Sequence, residues 1–259
     1  MHNILELDNI GYSYHSLHGE TLALKNISFH VKEGEFVAIV GPSGCGKSTL
    51  LSIIAGLLTP EEGTISFPCS NQRFQNSKTG YMLQHDHLFE WRSVYQNVIL
   101  GLELNHLLTP EKLNYIDRLL DEYGLNKFRD KRPSELSGGM KQRAALIRTL
   151  ALEPRLLLLD EPFSALDYQT RLMVSNDICR LIRKAGKTMI IITHDLAEAI
   201  SLSDKIVILS KRPATVKKIM PIHLTINDNS LLAARNSPEF HEYFNQLWED
   251  LTNETNVDA

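Results

Sequence analysis

Ile27, Phe29 and Val31 alternate with Ser28, His30 and Lys32, the two-residue period of a half-buried strand, and Glu33-Gly34 follows as a turn. This pattern predicts an antiparallel sheet near the N-terminus. The register then changes to a continuous apolar run, Phe36 to Val40, closed by Gly41. Such a run fits a strand covered on both faces. Two further runs, residues 156–159 and 189–192, each follow a segment of helical character, and that order implies a parallel α/β core. Residues 91–152 carry helix signals and no strand pattern. Thr109-Pro110-Glu111 reads as a cap with proline at the first helical position, and Leu113, Ile116, Leu120 and Tyr123 then share one face. Near the C-terminus, Ser237-Pro238 opens a segment in which Phe240, Tyr243, Phe244, Leu247, Trp248 and Leu251 recur at helical spacing. That helix (residues 235–251) either packs on its own domain or meets a second subunit.

The remaining arithmetic narrows the class. In 259 residues, 43% hydrophobic and 22% charged residues are globular values, and 14 Gly with 10 Pro are too few for a low-complexity chain. A net charge of −4 supplies no positive field to recruit nucleic acid, so no nucleic-acid partner is expected. Cys45, Cys69 and Cys179 are scattered and odd in number, which fits neither a disulfide framework nor a zinc site and suits a reducing cytosol. The first ten residues mix Asn3, Glu6 and Asp8 with apolar residues and lack the basic-then-apolar order of a signal peptide. The apolar runs stop far short of the ~20 residues of a spanning helix, so a membrane role is expected to be peripheral.

The strongest chemical signal is Gly41-Pro42-Ser43-Gly44-Cys45-Gly46-Lys47-Ser48, followed by an apolar helical stretch from Thr49 to Ala55. Glycines let successive N–H groups curl around an anion, and the helix beginning near Lys47 aims its positive end at the same point. Lys47 is then placed to reach the β- and γ-phosphates of a nucleotide, and the Ser48 hydroxyl to ligate Mg²⁺. Cys45 reads as a small side chain that fits the loop, with a thiol whose alkylation would block nucleotide entry. A second apolar strand ends in Asp160-Glu161. Asp160 can hold Mg²⁺ through a water while Glu161 takes a proton from an attacking water. Ser137 caps a helix that opens on Gly138-Gly139, a second anion-facing terminus in a chain that already has one for its nucleotide. Two such termini suggest two chains sharing a phosphate.

Taken in order, the phosphate loop through Thr49, Gln84 in Tyr81-Met82-Leu83-Gln84, residues 136–140, Asp160-Glu161, Ser164-Ala165-Leu166-Asp167 and Thr193-His194-Asp195 resemble the ATP-binding subunit of an ABC transporter over nearly the whole chain. The resemblance implies a single ATP-binding domain over residues 1–259. Its fold would be an α/β P-loop NTPase core with a parallel sheet, an N-terminal antiparallel β subdomain and an inserted α-helical subdomain at about residues 91–152. It also implies a set of roles. Tyr14, with Tyr12 as the neighbouring alternative, stacks on adenine. Gln84 senses Mg²⁺ and the attacking water, and its loop lies against a membrane partner. Ser137, Gly138 and Gly139 touch the γ-phosphate held by the other subunit, Asp167 lies at the dimer seam, and His194 hydrogen-bonds the γ-phosphate. ATP and Mg²⁺ are the implied cofactors. The implied partners are a second copy of the chain, transmembrane permease subunits and, indirectly, an extracytoplasmic solute-binding protein, with the chain on the cytoplasmic face of the membrane.

The signature departs from the broader family in ending on Met140 where Gln is frequent, which removes one polar side chain from the seam. Leu88-Phe89-Glu90-Trp91-Arg92 and the residue 235–251 tail resemble the nitrate, sulfonate and taurine importer subgroup, and importers of thiamine precursors are similar. A soluble ABC ATPase of cofactor assembly is the competing expectation. Lys211, Arg212, Lys217 and Lys218 read as a basic, solvated loop, with contact to lipid head groups as the alternative.

Overall fold

The computed structural model describes residues 2–17, 19–68, 79–226 and 231–252. Strands β1 (Asn3–Ser16), β2 (Gly19–Lys32) and β4 (Glu62–Ser66) form an antiparallel three-stranded sheet in the order β2-β1-β4. The alternation at Ile27, Phe29 and Val31 is realised on β2, with those three side chains buried and Ser28, His30 and Lys32 exposed.

The second sheet carries six strands in the order β5-β6-β7-β3-β8-β9. These are β5 (Thr79–Met82), β6 (Leu156–Asp160), β7 (Thr188–Ile192), β3 (Phe36–Val40), β8 (Lys205–Leu209) and β9 (Val216–Pro221). All pair in parallel except the edge strand β9. β3, β6, β7 and β8 are buried at every position, as continuous apolar runs require of strands covered on both faces.

Alternate residues divide the sheet between two cores. Phe36, Ala38, Leu157, Leu159, Met189 and Ile191 face one side, where they join the buried faces of the helices between β5 and β6 and of the later helices. Val37, Ile39, Leu158, Ile190 and Ile192 face the other, against helix α1 (Lys47–Ile54) and the three-stranded sheet. At ~25 cal/mol per Å², each fully buried Leu or Ile contributes roughly 1.5–3 kcal/mol, so this two-faced sheet is a stiff base for the loops at its ends.

Between β5 and β6 lie α2 (Val94–Val98), α3 (Leu100–Leu104), α4 (Pro110–Glu122) and α5 (Gly138–Leu150). The Thr109 hydroxyl accepts the Lys112 N–H at the start of α4, and Ile116, Leu120 and Tyr123 are buried as the spacing predicts. Helices α6 (Tyr168–Lys184), α7 (Leu196–Leu202), α8 (Leu231–Arg235) and α9 (Phe240–Thr252) complete the chain.

Two expectations are corrected. Lys217 and Lys218 do not sit in a solvated loop but on β9, where Lys217 Nζ donates to the Asp250 carbonyl and Lys218 pairs with the Asp250 carboxylate at 2.9 Å. The hairpin with β8 gives those lysines an extended backbone, and α9 supplies their partner. On α9, Phe240 and Leu247 are buried, Tyr243, Phe244 and Leu251 pack partly buried against the same core, and Trp248, 57% exposed, stacks on Phe244. Cys45 is 2% exposed, enclosed beneath the glycine loop, so it does not offer the open thiol that alkylation requires. Cys179 is likewise buried, and Cys69 lies outside the described residues. No helix among the described residues is long and apolar enough to cross a membrane.

Candidate functional site

The glycine loop joins the end of β3 to the start of α1. Gly44 and Gly46 adopt φ of 72° and 125°, which L side chains rarely accept. A Cβ on Gly46 would also lie 2.9 Å from Leu24 Cδ2 and 3.2 Å from the Ala23 carbonyl. Gly46 occupies the N-cap with no side-chain cap, so the first N–H groups of α1 point into the loop. Lys47 is 8% exposed, and its Nζ donates to the Gly41 and Pro42 carbonyls, both at 2.9 Å. The ammonium is thus already folded across the cradle. From β1, Tyr14 places its hydroxyl 3.0 Å from Thr49 Oγ1, with its ring 46% exposed. Tyr12 packs edge-on to that ring at 5.1 Å and turns toward the core. Of the two tyrosines, Tyr14 is the one that meets the loop.

Asp160 closes β6 and is 8% exposed. Burial pushes its carboxyl up from the ordinary value. A hydrogen bond from Ser48 opposes this, Glu161 pushes it further up, and Lys47 and a hydrogen bond from Tyr81 pull it back. Ser48 and Asp160 therefore present adjacent hard oxygen donors, the chemistry that suits Mg²⁺. Glu161 follows at φ 44°, pinned by its N–H donating to the Ile192 carbonyl at 3.0 Å. A non-glycine residue in the left-handed region is uncommon, and here it turns the carboxylate off the strand. Gln84 Nε2 donates to Glu161 Oε2 at 3.2 Å, and His194 Nδ1 lies 3.3 Å from the same oxygen. Gln84 and His194, far apart in sequence, thus converge on one oxygen of Glu161.

The signature lies elsewhere on the chain. The Ser137 hydroxyl accepts the Met140 N–H to cap α5, and Cβ positions built on Gly138 and Gly139 would press on Leu166, Thr170 and Val174 at 3.0–3.2 Å. The segment is seated on the start of α6. Asp167 caps that helix through the Thr170 N–H at 3.1 Å, and the hydrogen bonds from Thr170 hold its carboxyl below the usual range. Met140 lines a groove of about 650 Å³ together with Ser137, Thr170, Met173 and Leu232.

Four contacts of this region are not legible in the motifs. Arg212 donates Nε and Nη2 to the Gly44 carbonyl at 3.2 and 2.6 Å, so the basic cluster reaches the phosphate loop. Arg148 of α5 donates to the Asp86 and His87 carbonyls at 2.6 and 2.7 Å, tying the signature helix to the segment after Gln84. Asn97 knits residues 89–93 together, and Glu198 bonds Thr193 beside His194. The Arg212 and Arg148 contacts join elements far apart in sequence, while the Asn97 and Glu198 contacts are local but use polar residue types common on surfaces, the Thr-x-x-x-x-Glu spacing at 193–198 being a local signal of the latter.

Comparison with known proteins identifies the family. Residues 24–164 match the family model for the ABC transporter. The nitrate import ATP-binding protein NrtD of Synechocystis sp. is 39% identical over 94% of this chain and 93% of its own length. The taurine import ATP-binding protein TauB of Ruegeria pomeroyi is 41% identical, over 83% and 80%. Among solved structures, the dimeric ATP-binding cassette MJ0796, in a post-hydrolysis state bound to ADP and Pi, superposes with a TM-score of 0.71 at 30% identity, over 85% of this chain and 99% of that one. The chain therefore belongs to the ABC transporter family as an ATP-binding subunit that hydrolyses ATP to drive transport.

Proposed function

We propose that this chain powers an importer as a homodimer that closes on two ATP, docked on the cytoplasmic face of transmembrane permease subunits that an extracytoplasmic solute-binding protein supplies. The cargo class that the relatives favour is a small oxyanion such as nitrate, or a sulfonate such as taurine. The observation that carries the catalytic part is the convergence of Gln84 and His194 on Glu161 Oε2, at 3.2 and 3.3 Å.

On this reading Lys47 exchanges the Gly41 and Pro42 carbonyls for oxygens of the β- and γ-phosphates, and the uncapped N–H groups of α1 take the remaining charge. Tyr14 stacks on adenine. Ser48, Asp160 and Gln84 would hold Mg²⁺, which neutralises charge developing on the phosphates. Glu161 accepts the proton of a water as its oxygen attacks the γ-phosphorus and the bond to the β-phosphate oxygen breaks, a contribution of ~10²–10⁴ in rate. His194 donates to the γ-phosphate, and Ser137, Gly138 and Gly139 of a second copy cover it from the opposite side, next to Asp167 at the seam. Exposed apolar side chains flank this segment, Leu83 next to Gln84 at 44% and Trp91 at 70% in ring contact with Phe89, and such residues suit contact with a permease loop.

Glu161→Gln tests the reading. The variant is expected to bind ATP, to lose about 10²–10⁴ in phosphate release and to accumulate as a nucleotide-bound dimer in size-exclusion chromatography. Turnover near that of the parent chain refutes Glu161 as the base. A nucleotide-saturated variant that never dimerises refutes the shared site.

A further inference from the structure

Glu198 is a buried acid that the catalytic reading does not use. It lies in the first turn of α7, 5% exposed, and its Oε2 accepts the Thr193 hydroxyl at 2.5 Å. Thr193 Oγ1 accepts the Asp195 N–H at 3.1 Å, and Asp195 Oδ1 accepts the Glu198 N–H at 3.1 Å. In a simple capping box, the glutamate at the third helical position reaches the backbone N–H of the cap residue directly. Here the connection is relayed through the Thr193 hydroxyl, so it extends past the cap and encloses both neighbours of residue 194. Only His194 leaves the ring, with a side chain 59% exposed and Nδ1 3.3 Å from Glu161 Oε2.

The arrangement is costly by ordinary rules. Glu198 Oε1 is buried with no hydrogen-bond partner among the described residues. Arg171, the nearby cation on α6, is engaged with Asp195 at 3.8 Å and with the Leu166 carbonyl at 3.0 Å. Half-satisfied buried carboxyls destabilise, and Asp195 alone would cap α7. What Glu198 adds is the hold on Thr193.

We propose that Glu198 is a positioning residue for His194, fixing through Thr193 and Asp195 the loop that presents His194 to Glu161. The inference rests on the catalytic reading of His194 and Glu161 above. A shift of about 1 Å in a catalytic group can cost up to ~10² in rate, so losing the ring is expected to act on the chemical step rather than on nucleotide affinity.

Steady-state phosphate release by the full chain tests this with Glu198→Ala, Thr193→Val, Glu198→Gln, His194→Ala and the double variant Glu198→Ala/His194→Ala. Glu198→Ala and Thr193→Val are each expected to lower kcat about tenfold while KM for ATP moves less than about twofold. Glu198→Gln keeps an acceptor for Thr193 and is expected to restore most of kcat. The double variant is expected to be no slower than His194→Ala. Glu198→Ala with parental kcat, or a double variant slower by the product of the single effects, overturns the proposal while leaving the catalytic reading intact. Parental turnover in His194→Ala removes the catalytic reading, and this inference with it. Should Glu198→Ala fail to fold, Thr193→Val and Glu198→Gln decide the matter by the same kcat and KM split.

Discussion

Replacing Asn97 by Ala removes a knot that holds the segment after Gln84. Asn97 is fully buried. Its Nδ2 donates to the carbonyls of Phe89 at 3.1 Å, Arg92 at 3.3 Å and Ser93 at 3.0 Å, and its Oδ1 accepts the Phe89 N–H at 2.7 Å. An amide has two N–H groups, so three carbonyls share two donors and about three independent hydrogen bonds are at stake. At ~1 kcal/mol each, with a further cost where a partner stays buried and unsatisfied, the loss is about 3 kcal/mol or more. For a chain of this size that corresponds to roughly 6–12 °C in melting temperature. Trp91 lies inside the knotted segment and reports on it, provided Trp248 is first changed to Phe. Urea unfolding followed by Trp91 fluorescence measures the difference. A destabilisation below about 1 kcal/mol, with an unchanged Trp91 spectrum, refutes the assignment of Asn97 as the tie.

The other predictions concern the nucleotide cradle and the acid beneath the His194 loop. Gly46→Ala meets both a φ of 125° and the Leu24 and Ala23 contacts, and calorimetric titration is expected to show ATP affinity down by about tenfold or more in a chain that still folds. Arg212→Met removes two donors from the Gly44 carbonyl; because Arg212 is exposed, roughly 1 kcal/mol or less is at stake, seen as up to about a fivefold rise in KM for ATP with kcat retained. Burial raises the Glu198 carboxyl from 4.5 to about 7, so its contribution to stability is complete below the unfolded value and is lost as pH rises through about 7. Glu198→Gln should therefore gain stability relative to the parent chain between pH 5 and pH 8, and parallel denaturation curves at the two pH values show whether it does.

How much of this was legible in the sequence follows from how local each feature is. β3, β6 and β7 could be read because strands covered on both faces need unbroken apolar runs, and the caps at Thr109 and Ser137 because a cap acts within three residues. β5 was not, being four residues at the edge of the parallel run with Gly80 inside, where a Cβ would press on Thr149 and Pro154. β9 was hidden by its lysines, which an edge strand tolerates and whose partner Asp250 is distant in sequence. The motif residues were legible as types and spacings. The contacts that hold them were not: those of Arg212 and Arg148 join elements far apart in sequence and leave no period in the chain, while those of Asn97 and Glu198 are local but turn on which way a common polar side chain points.

The order of strands converts these linear motifs into a site. In the sequence the phosphate loop comes first, then Gln84, Glu161 and His194. In the sheet the neighbours run β5-β6-β7-β3, and in each of these parallel strands the functional residue follows the carboxyl end, so Gln84, Glu161, His194 and the phosphate loop line one edge in that order. Parallel α/β sheets gather ligands at that edge for this reason. The signature is the exception. It opens helix α5 rather than following a strand, and it is seated on Leu166, Thr170 and Val174 of the α6 region, whereas the phosphate loop is seated on Ala23, Leu24 and Leu209. A capped helix start of two glycines is built to approach an anion, yet the sheet that collects every other motif does not collect this one. The second copy in the proposed function would answer that mismatch: a triphosphate held at the edge of one sheet would meet the α5 terminus of its partner, completing an enclosure that one chain does not form alone.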